Sequence, residues 1–576
     1  MAKKKTKKKV VKKKLTPEER KARKKEQAKK RLATKFKTDI RTIFKNCGFT
    51  QIPSRETQLY ILGRHGEFDG IYLYENIIVL VEDTAGKSHK SDHIRKKFDF
   101  ASAVMKDSAA LVEALCDNFE KLNDIVANSM YEYNEYIIKH LYCSRHDVSS
   151  EYQGRYRDEN NIFLSNLQLK YFLELVKIIK TSSRFEIFKF LEIELVDIGC
   201  PNNSSRSVTY SGLILAEKPN GFPNGYKVVS FFADPEMLLE KSYVLRKDSW
   251  RDDDCLYQRL LVKNKIKDIR KFLVDNKRTF VNNVIVTLPY DCKFDGISKR
   301  PKTEPVDITI PERFNIIGII DGQHRVYAYH ESQEEIEAQI KKLRKRQHLL
   351  VTGIVYPRNT TTEEKMQFEA KLFLEINAKQ KALPGRLKQD IELIVKPNSG
   401  IAIAKAVLSA LAKKGPLEDT LEVHHFDSAG KIKTTSIVSY GLKHIVAIDG
   451  EHSFFKRWKG NNKKDIREDE RVRKHYIDYC VKQLTYYIAG FKESIPKSMW
   501  VTDNKTSKVL TPTTINGLIY CMRMLIKRNE IKGSQEEYFK AFKLLKIDFT
   551  PKKFPYISSH WKSLGDKVDE QCFKGK

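Results

Sequence analysis

The sequence predicts a mixed α/β (α+β) protein, two α/β domains followed by a helical region, and three observations predict it. Short apolar runs bounded by turn residues, at 77–81, 283–288, 314–320 and 349–355, alternate with stretches of helical apolar spacing such as 167–179 and 266–274. Beyond residue 387 the strand-like runs cease and helical stripes take over, at 401–411 and 515–526. At 576 residues the chain exceeds one ordinary core, while 41% hydrophobic and 10% aromatic residues suffice to fill several.

Charge narrows the class of partner. The net charge is +32, from 106 Lys and Arg against 74 Asp and Glu, which calls for a polyanion, with DNA the first candidate. Half of it lies in residues 1–37, where 19 Lys and Arg face three acids, Glu18, Glu19 and Glu26. Runs such as Lys3-Lys4-Lys5 and Lys12-Lys13-Lys14 repel one another and have nothing to bury, so a disordered basic arm is expected, adding salt-sensitive affinity for phosphate backbones. From Thr16-Pro17-Glu18-Glu19 to about Phe36 the arm becomes helix-competent, with a capping-box spacing and Pro17 at the first helical position. No apolar run of 18 residues occurs, so no membrane span is expected, and the N-terminus lacks an apolar signal core. Nine cysteines without a C-x-x-C pair point to a reducing cytoplasm and to cysteines as small apolar fillers.

Residues 38–195 are expected to form the first α/β domain. Residues 68–74 and 76–81 read as a hairpin turning at Glu75-Asn76 and running into Glu82-Asp83-Thr84, which makes Asp69 and Glu82 neighbours. Paired carboxylates at adjacent strand ends are a means of holding one or two divalent metals over a scissile phosphate. The pattern resembles the PD-(D/E)xK nuclease core, with Asp69 and Glu82 in its acidic positions and Glu56 as a third acid on the preceding helix. The resemblance places a lysine two residues after Glu82, where this chain has Thr84, with Lys87 and Lys90 as substitutes. After Ala85 helical spacing continues to Tyr142, and the tyrosines of 130–142 read as core rather than as a surface for stacking bases. Cys200-Pro201-Asn202-Asn203 breaks the pattern and puts the domain boundary at 190–205.

Residues 196–387 make the second domain. Strands are expected at 208–215, 226–233, 283–288, 314–320 and 349–355, and helices at 266–274, 331–347 and 363–377. Glu337 and Lys341 in the second of these helices read as a solvated i,i+4 pair. The stretch 289–311, rich in Lys and Arg, reads as a long loop and a functional lid. The strand at 314–320 stops at Asp321-Gly322 before an aromatic, helix-competent segment. Gly322 permits a sharp turn and close approach of a ligand, and the N–H groups of a new helix favour an anion. Gln323, His324 and Arg325 then sit where a phosphate would be: Arg325 offers a fork of donors, His324 a donor or proton relay, and Asp321 a carboxylate for a metal ion or ribose hydroxyl. An ordinary turn with a surface arginine is the plainer alternative.

The pentapeptide Asp321-Gly322-Gln323-His324-Arg325 resembles the signature of the DGQHR-domain family, which is similar to the ParB/sulfiredoxin-like superfamily and to DndB. Tyr257-Gln258-Arg259 and the block from Leu372 to Lys381, with Asn377 and Gln380, fit the same resemblance, which spans residues 199–387. It implies a nucleoside triphosphate at the turn. In that picture Arg325 and the turn N–H groups clamp phosphates, His324 donates to a bridging oxygen, Asp321 holds magnesium or positions water, Gln258 and Arg259 close the pocket, and Asn377 and Gln380 return towards it. The expected function is nucleotide binding, with hydrolysis of ATP or another NTP and Mg2+ as cofactor, coupled to DNA modification, its regulation or defence against foreign DNA. Partner proteins of such a system and self-association are compatible with it. The alternatives are a non-enzymatic DNA-binding regulator and a metal-dependent nuclease centred on Asp69 and Glu82. Residues 388–576 are the helical region, where Lys456-Arg457-Trp458-Lys459 reads as a nucleic-acid contact or as a tryptophan packed under lysine stems.

Overall fold

The computed structural model describes residues 17–54, 57–86, 91–146, 148–199, 208–217, 221–223, 225–244, 261–296, 302–377, 385–423, 427 and 430–574. Lys3, Lys4, Lys5, Lys12, Lys13, Lys14, Glu56, Lys87, Lys90, Gln258, Arg259 and Gln380 lie outside them.

Helix α1 (Pro17–Asn46) runs through the arm boundary expected at residue 37. As far as Lys35 almost all its described side chains are exposed, whereas Phe36, Ile40, Ile43 and Phe44 share one face at helical spacing and are buried. Strands β1 (Thr50–Ile52), β2 (Leu59–Ile61) and β3 (Arg64–Gly66) lead to the expected hairpin, β4 (Gly70–Tyr74) and β5 (Ile77–Thr84). Its register runs from Tyr74 opposite Ile77 to Gly70 opposite Val81, and Glu75 takes the left-handed conformation (φ 47°) that a tight turn needs. Helices α2 (Ser91–Val104), α3 (Ser108–Asn118) and α4 (Glu120–Ala127) precede β6 (Ile137–Ser144); α5 (Ser150–Tyr156), β7 (Asn161–Leu164), α6 (Asn166–Ile179) and α7 (Arg184–Phe190) complete the unit. The sheet order is β1-β4-β5-β6-β7, antiparallel as far as β5 and parallel from β5 to β7.

Strand β6 corrects the expectation of helix up to Tyr142. A parallel strand covered on both faces is apolar on both, so Ile138, Leu141, Tyr142 and Cys143 show no two-residue alternation and mimic a buried helix. Its one buried imidazole, His140, sets Nδ1 2.9 Å from Asn161 Oδ1, and burial pushes its pKa down to about 4.

The central unit is built on eight strands. In chain order they are β8 (Thr209–Leu215), β9 (Lys227–Ala233), then after α8 (Pro235–Lys241) β10 (Ser242–Val244), and after α9 (Lys263–Asn276) β11 (Val284–Leu288), β12 (Lys293–Asp295), β13 (Glu304–Thr309) and β14 (Ile317–Asp321). The short helix α10 (Gln323–Tyr327) and α11 (Glu337–Arg346) precede β15 (Leu349–Val355), and α12 (Thr362–Asn377) follows it. The order across the sheet is β10-β14-β11-β15-β9-β8-β13-β12. The stretch expected as a lid carries two strands of the sheet: β12 and β13 pair with each other, and β13 pairs with β8 through Glu304–Thr309. Val306 and Ile308 alternate with Pro305 and Asp307, a period of two that the charge of the flanking residues hides.

Glu337 is the other correction here. It accepts from Arg270 Nη2 at 3.1 Å and from Arg344 Nη2 at 2.8 Å, so it belongs to a buried network rather than to a solvated pair with Lys341. Arg270, 2% exposed, also donates to the carbonyls of Ala328 (3.1 Å) and His330 (2.6 Å) and to Ser332 Oγ (3.1 Å). Removing one partner of such a network strands the others, so Arg270→Met is expected to cost about 3–5 kcal/mol in urea unfolding, while Lys341→Ala leaves the midpoint in place.

The C-terminal region consists mainly of helices, chiefly α13 (Gly385–Val395), whose Leu387, Ile391 and Ile394 pack with Ile320, Ala370 and Phe373, and then α14 (Gly400–Lys413), α15 (Glu470–Ser494), α16 (Pro512–Arg528), α17 (Gln535–Phe542) and α18 (Trp561–Cys572) around their own core. Trp458 packs there against Tyr476 and Phe455, the interior alternative for that tryptophan. The first two units share a core. Phe185 and Phe188 of α7 meet Phe314, with ring centres 5.9 and 5.6 Å apart. Beside them Arg184 forms a two-pronged ion pair with Glu331, at 2.5 and 2.9 Å. No helix among the described residues is long and apolar enough to cross a membrane.

Candidate functional site

The hairpin register puts Asp69, just before β4, beside the end of β5, and two helices close over that end. Alternation along β5 sends Glu82 and Asp83 to opposite faces. Glu82 is 1% exposed and its Oε2 lies 2.8 Å from the Lys97 ammonium of α2, which also reaches Glu67 Oε1 at 3.5 Å. On the other face Lys37 of α1 sits 3.1 Å from Asp69 Oδ1 and 3.4 Å from Asp83 Oδ2. The second Asp69 oxygen, Oδ2, accepts the Asp83 N–H at 3.0 Å. Three carboxylates thus meet two lysines at one strand end.

Burial acts on all three acids, and their partners separate them. Burial pushes the Glu82 carboxyl up to about 9 in spite of Lys97, and burial and then Asp69 raise Asp83 to about 6. Burial also opposes ionisation of Asp69, but the Asp83 N–H and Lys37 outweigh it and hold that carboxyl below its ordinary value. Glu82 Oε1 meets no N–H or hydroxyl donor among the described residues, and the carboxyl, protonated by its raised pKa, is within hydrogen-bond reach of Asp69.

The Asp69–Glu82 pair decides whether a divalent cation fits. Hard cations take carboxylate oxygens, and magnesium characteristically uses one or two of them and keeps several waters. Asp69 and Glu82 supply two, within reach of one another. Among the described residues no three His, Cys, Asp or Glu side chains are grouped so that they could hold a metal ion. A cation held by these two carboxyls alone would have to keep several waters, as magnesium does and a structural zinc does not. Thr84 lies two residues after Glu82 with its carbonyl accepting the Arg145 N–H.

Sequence reading missed Lys97, Lys37 and Asp83. Lys97 was within reach of pattern arguments: it stands three residues after Ile94 and four before Ala101, both buried, so it faces the sheet.

The second locus is the turn after β14. Gly322 is left-handed (φ 96°), and a Cβ there would meet Arg325 Nη2 at 2.9 Å and Val284 Cα at 3.2 Å. Arg325 Nη2 donates to the Asn283 carbonyl at 2.7 Å and pairs with Asp321 Oδ2 at 3.2 Å, which ties the turn to β11. His324 is buried and its Nε2 accepts the Val262 N–H at 3.1 Å. Gln323 is buried with neither amide atom bonded to a described residue. Asn377, at the end of α12, donates to the Phe373 carbonyl, and α12 is held against β14 through Ile320, Ala370 and Phe373.

Beneath this sheet lies a polar cluster that sequence reading did not find. Glu369 of α12 is fully buried, and its Oε1 accepts from Thr287 Oγ1 (2.5 Å), Tyr356 OH (2.7 Å) and Tyr243 OH (2.8 Å) around Gly318. Burial nevertheless pushes its carboxyl up. The one signal was that Glu369 shares a helix face with Ala370 and Phe373.

Comparison with known proteins touches this second locus. Among curated proteins and solved structures none matches the chain. Residues 238–371 match the model of the DndB family, described as DNA-sulfur modification-associated. The matched segment runs from within α8 to within α12 and takes in Tyr243, Thr287, Gly318, the Asp321–Arg325 turn, Tyr356 and Glu369. It leaves out the carboxylate–lysine centre and the C-terminal helices, so it is in its central sheet that the chain is similar to DndB.

Proposed function

We propose that this chain is a DNA-binding protein of a DNA-sulfur modification system, and that its first unit cuts the phosphodiester backbone with a divalent cation at Asp69 and Glu82. The observation that carries the second part is the buried Glu82 carboxyl set against Asp69 at one strand end, with Lys97 2.8 Å away. The DndB-like segment and the net charge of +32 support the first. Asp69 and Glu82 would hold the cation, which when bound supplies Lewis acidity towards the phosphoryl oxygens. Lys97, fixed between Glu82 and Glu67, presents a positive charge where the phosphoryl group gains negative charge on the way to cleavage. The exposed part of α1 binds backbone phosphates without regard to sequence.

The test is supercoiled plasmid, unmodified and phosphorothioate-bearing, incubated with Mg2+ or Mn2+. Wild-type protein is expected to nick it and Glu82→Gln and Asp69→Asn are not. Binding without cutting under every divalent ion would overturn the nuclease assignment and leave a non-enzymatic DNA-binding regulator. Removing residues 2–30 is expected to flatten the log–log salt dependence of DNA binding without unfolding the domain. A cut at 37 would also take Phe36 from the core.

A second reading, a nucleoside triphosphate at the 321–325 turn with ATP hydrolysis, is favoured by the unpartnered Gln323 amide and the close backbone approach at Gly322. If it holds, calorimetry with ATP, CTP and GTP finds binding that Arg325→Lys and Gly322→Val both lose, because lysine cannot replace the fork and valine resists the turn. Absence of binding to wild type would leave the turn as the corner that fastens β14 to β11.

A further inference from the structure

Two lysines attend the carboxylates, and they are not alike. Lys97 is 16% exposed, held between Glu82 and Glu67 under α2. Lys37 is 46% exposed, and only its ammonium touches the centre, at Asp69 Oδ1 and Asp83 Oδ2. The acids of this pair are largely buried, at 25% and 8% exposed, but the lysine is half in solvent, so an outside anion can compete for its ammonium.

The same lysine ends a row. Arg23, Lys30 and Lys37 recur every seven residues along α1, which places them on one helix face about 10 Å apart, and all three are exposed. A phosphodiester backbone lying along that face would reach Lys37 last, at the carboxylates. The row and the pair are separate observations, and they meet in one side chain.

We propose that Lys37 is an exchangeable internal cation. With no nucleic acid bound, its ammonium neutralises Asp69 and Asp83. A backbone phosphate arriving along α1 draws it away and leaves Asp69 free to join Glu82 around the divalent ion. DNA binding and metal loading are then coupled through one side chain, and by reciprocity each strengthens the other. The inference rests on the proposed cation site, and it adds that nucleic acid and metal load that site cooperatively.

The test is calorimetric titration of Mn2+ into the full chain, with and without a short blunt DNA duplex, for wild type, Lys37→Met and Glu82→Gln. Methionine keeps the stem and removes the charge, and a melting curve checks that the variant is folded before its Mn2+ affinity is compared. Lys37→Met is expected to bind Mn2+ about fivefold or more tightly than wild type without DNA. Duplex is expected to raise the wild-type affinity by a similar factor and that of Lys37→Met hardly at all. Equal Mn2+ affinity for the two proteins in both conditions would overturn the exchange while leaving the cation site standing. Absence of Mn2+ binding that depends on Glu82, in every protein, would overturn both.

Discussion

Replacing Gly318 with valine is expected to unfold the central sheet. Gly318 sits in β14 directly between Tyr243 of β10 and Thr287 of β11. A Cβ there would meet Thr287 Oγ1 at 2.3 Å, Glu369 Oε1 at 2.5 Å and Tyr243 OH at 3.0 Å. None of the three can retreat without breaking a hydrogen bond to Glu369, and Glu369 is buried with nowhere to turn. Overpacking costs about 1–3 kcal/mol and breaking a buried charged network about 3–5 more, against a total of roughly 5–15 for a domain. Gly318→Val should therefore give insoluble protein or lose most of its unfolding free energy in a urea titration, and Gly318→Ala should lose several kcal/mol. An alanine variant within about 1 kcal/mol of wild type would show that the hydroxyl cluster does not close over this glycine.

The second large effect is on activity. Lys97→Met is expected to lower plasmid nicking about 100- to 1,000-fold, the usual loss when a fixed donor to developing charge is removed. DNA affinity should be unaffected, because Lys97 points from α2 onto Glu82 and is largely covered, whereas the exposed lysines and arginines lie on α1. The fold is expected to survive at neutral pH, since burial already pushes the Glu82 carboxyl up to about 9 with Lys97 in place, so that losing the lysine strands no buried charge. The check is a single-turnover nicking rate set beside filter binding and a melting curve. A variant that cuts at the wild-type rate would remove Lys97 from the chemistry, and one that fails to melt cooperatively would make it a structural lysine.

Local pattern revealed the parts of the fold in which one face is buried and one is wet. The hairpin, the strand Leu349–Val355 and the helices α6, α9 and α12 follow from periodicity and turn residues. It failed where both faces are covered, as at β6, whose isoleucines and tyrosines carry no period, and where charge masks alternation, as at β13. Asp69 and Glu82 were legible because a two-residue turn fixes register. Lys37, Lys97 and Asp83 were not, because what brings them together is the docking of α1 and α2 on opposite faces of one sheet. Glu337 and Glu369 look like surface acids in the sequence, since nothing local announces that Arg270 or three hydroxyls will be waiting for them.

The seam between the first two units bears on how such a chain can arise and vary. Apolar side chains from Phe36 to Val355 belong to one continuous core, and the Arg184–Glu331 pair is locked across it. A sheet that ends its own core can be shuffled between genes like a cassette. This one cannot, because separating it at the expected boundary near residue 196 would bare Phe314 on one fragment and Phe188 on the other. The DndB-like sheet and the carboxylate-bearing sheet must be inherited together, and a lineage that discarded the chemistry of the first unit would still have to keep its scaffold.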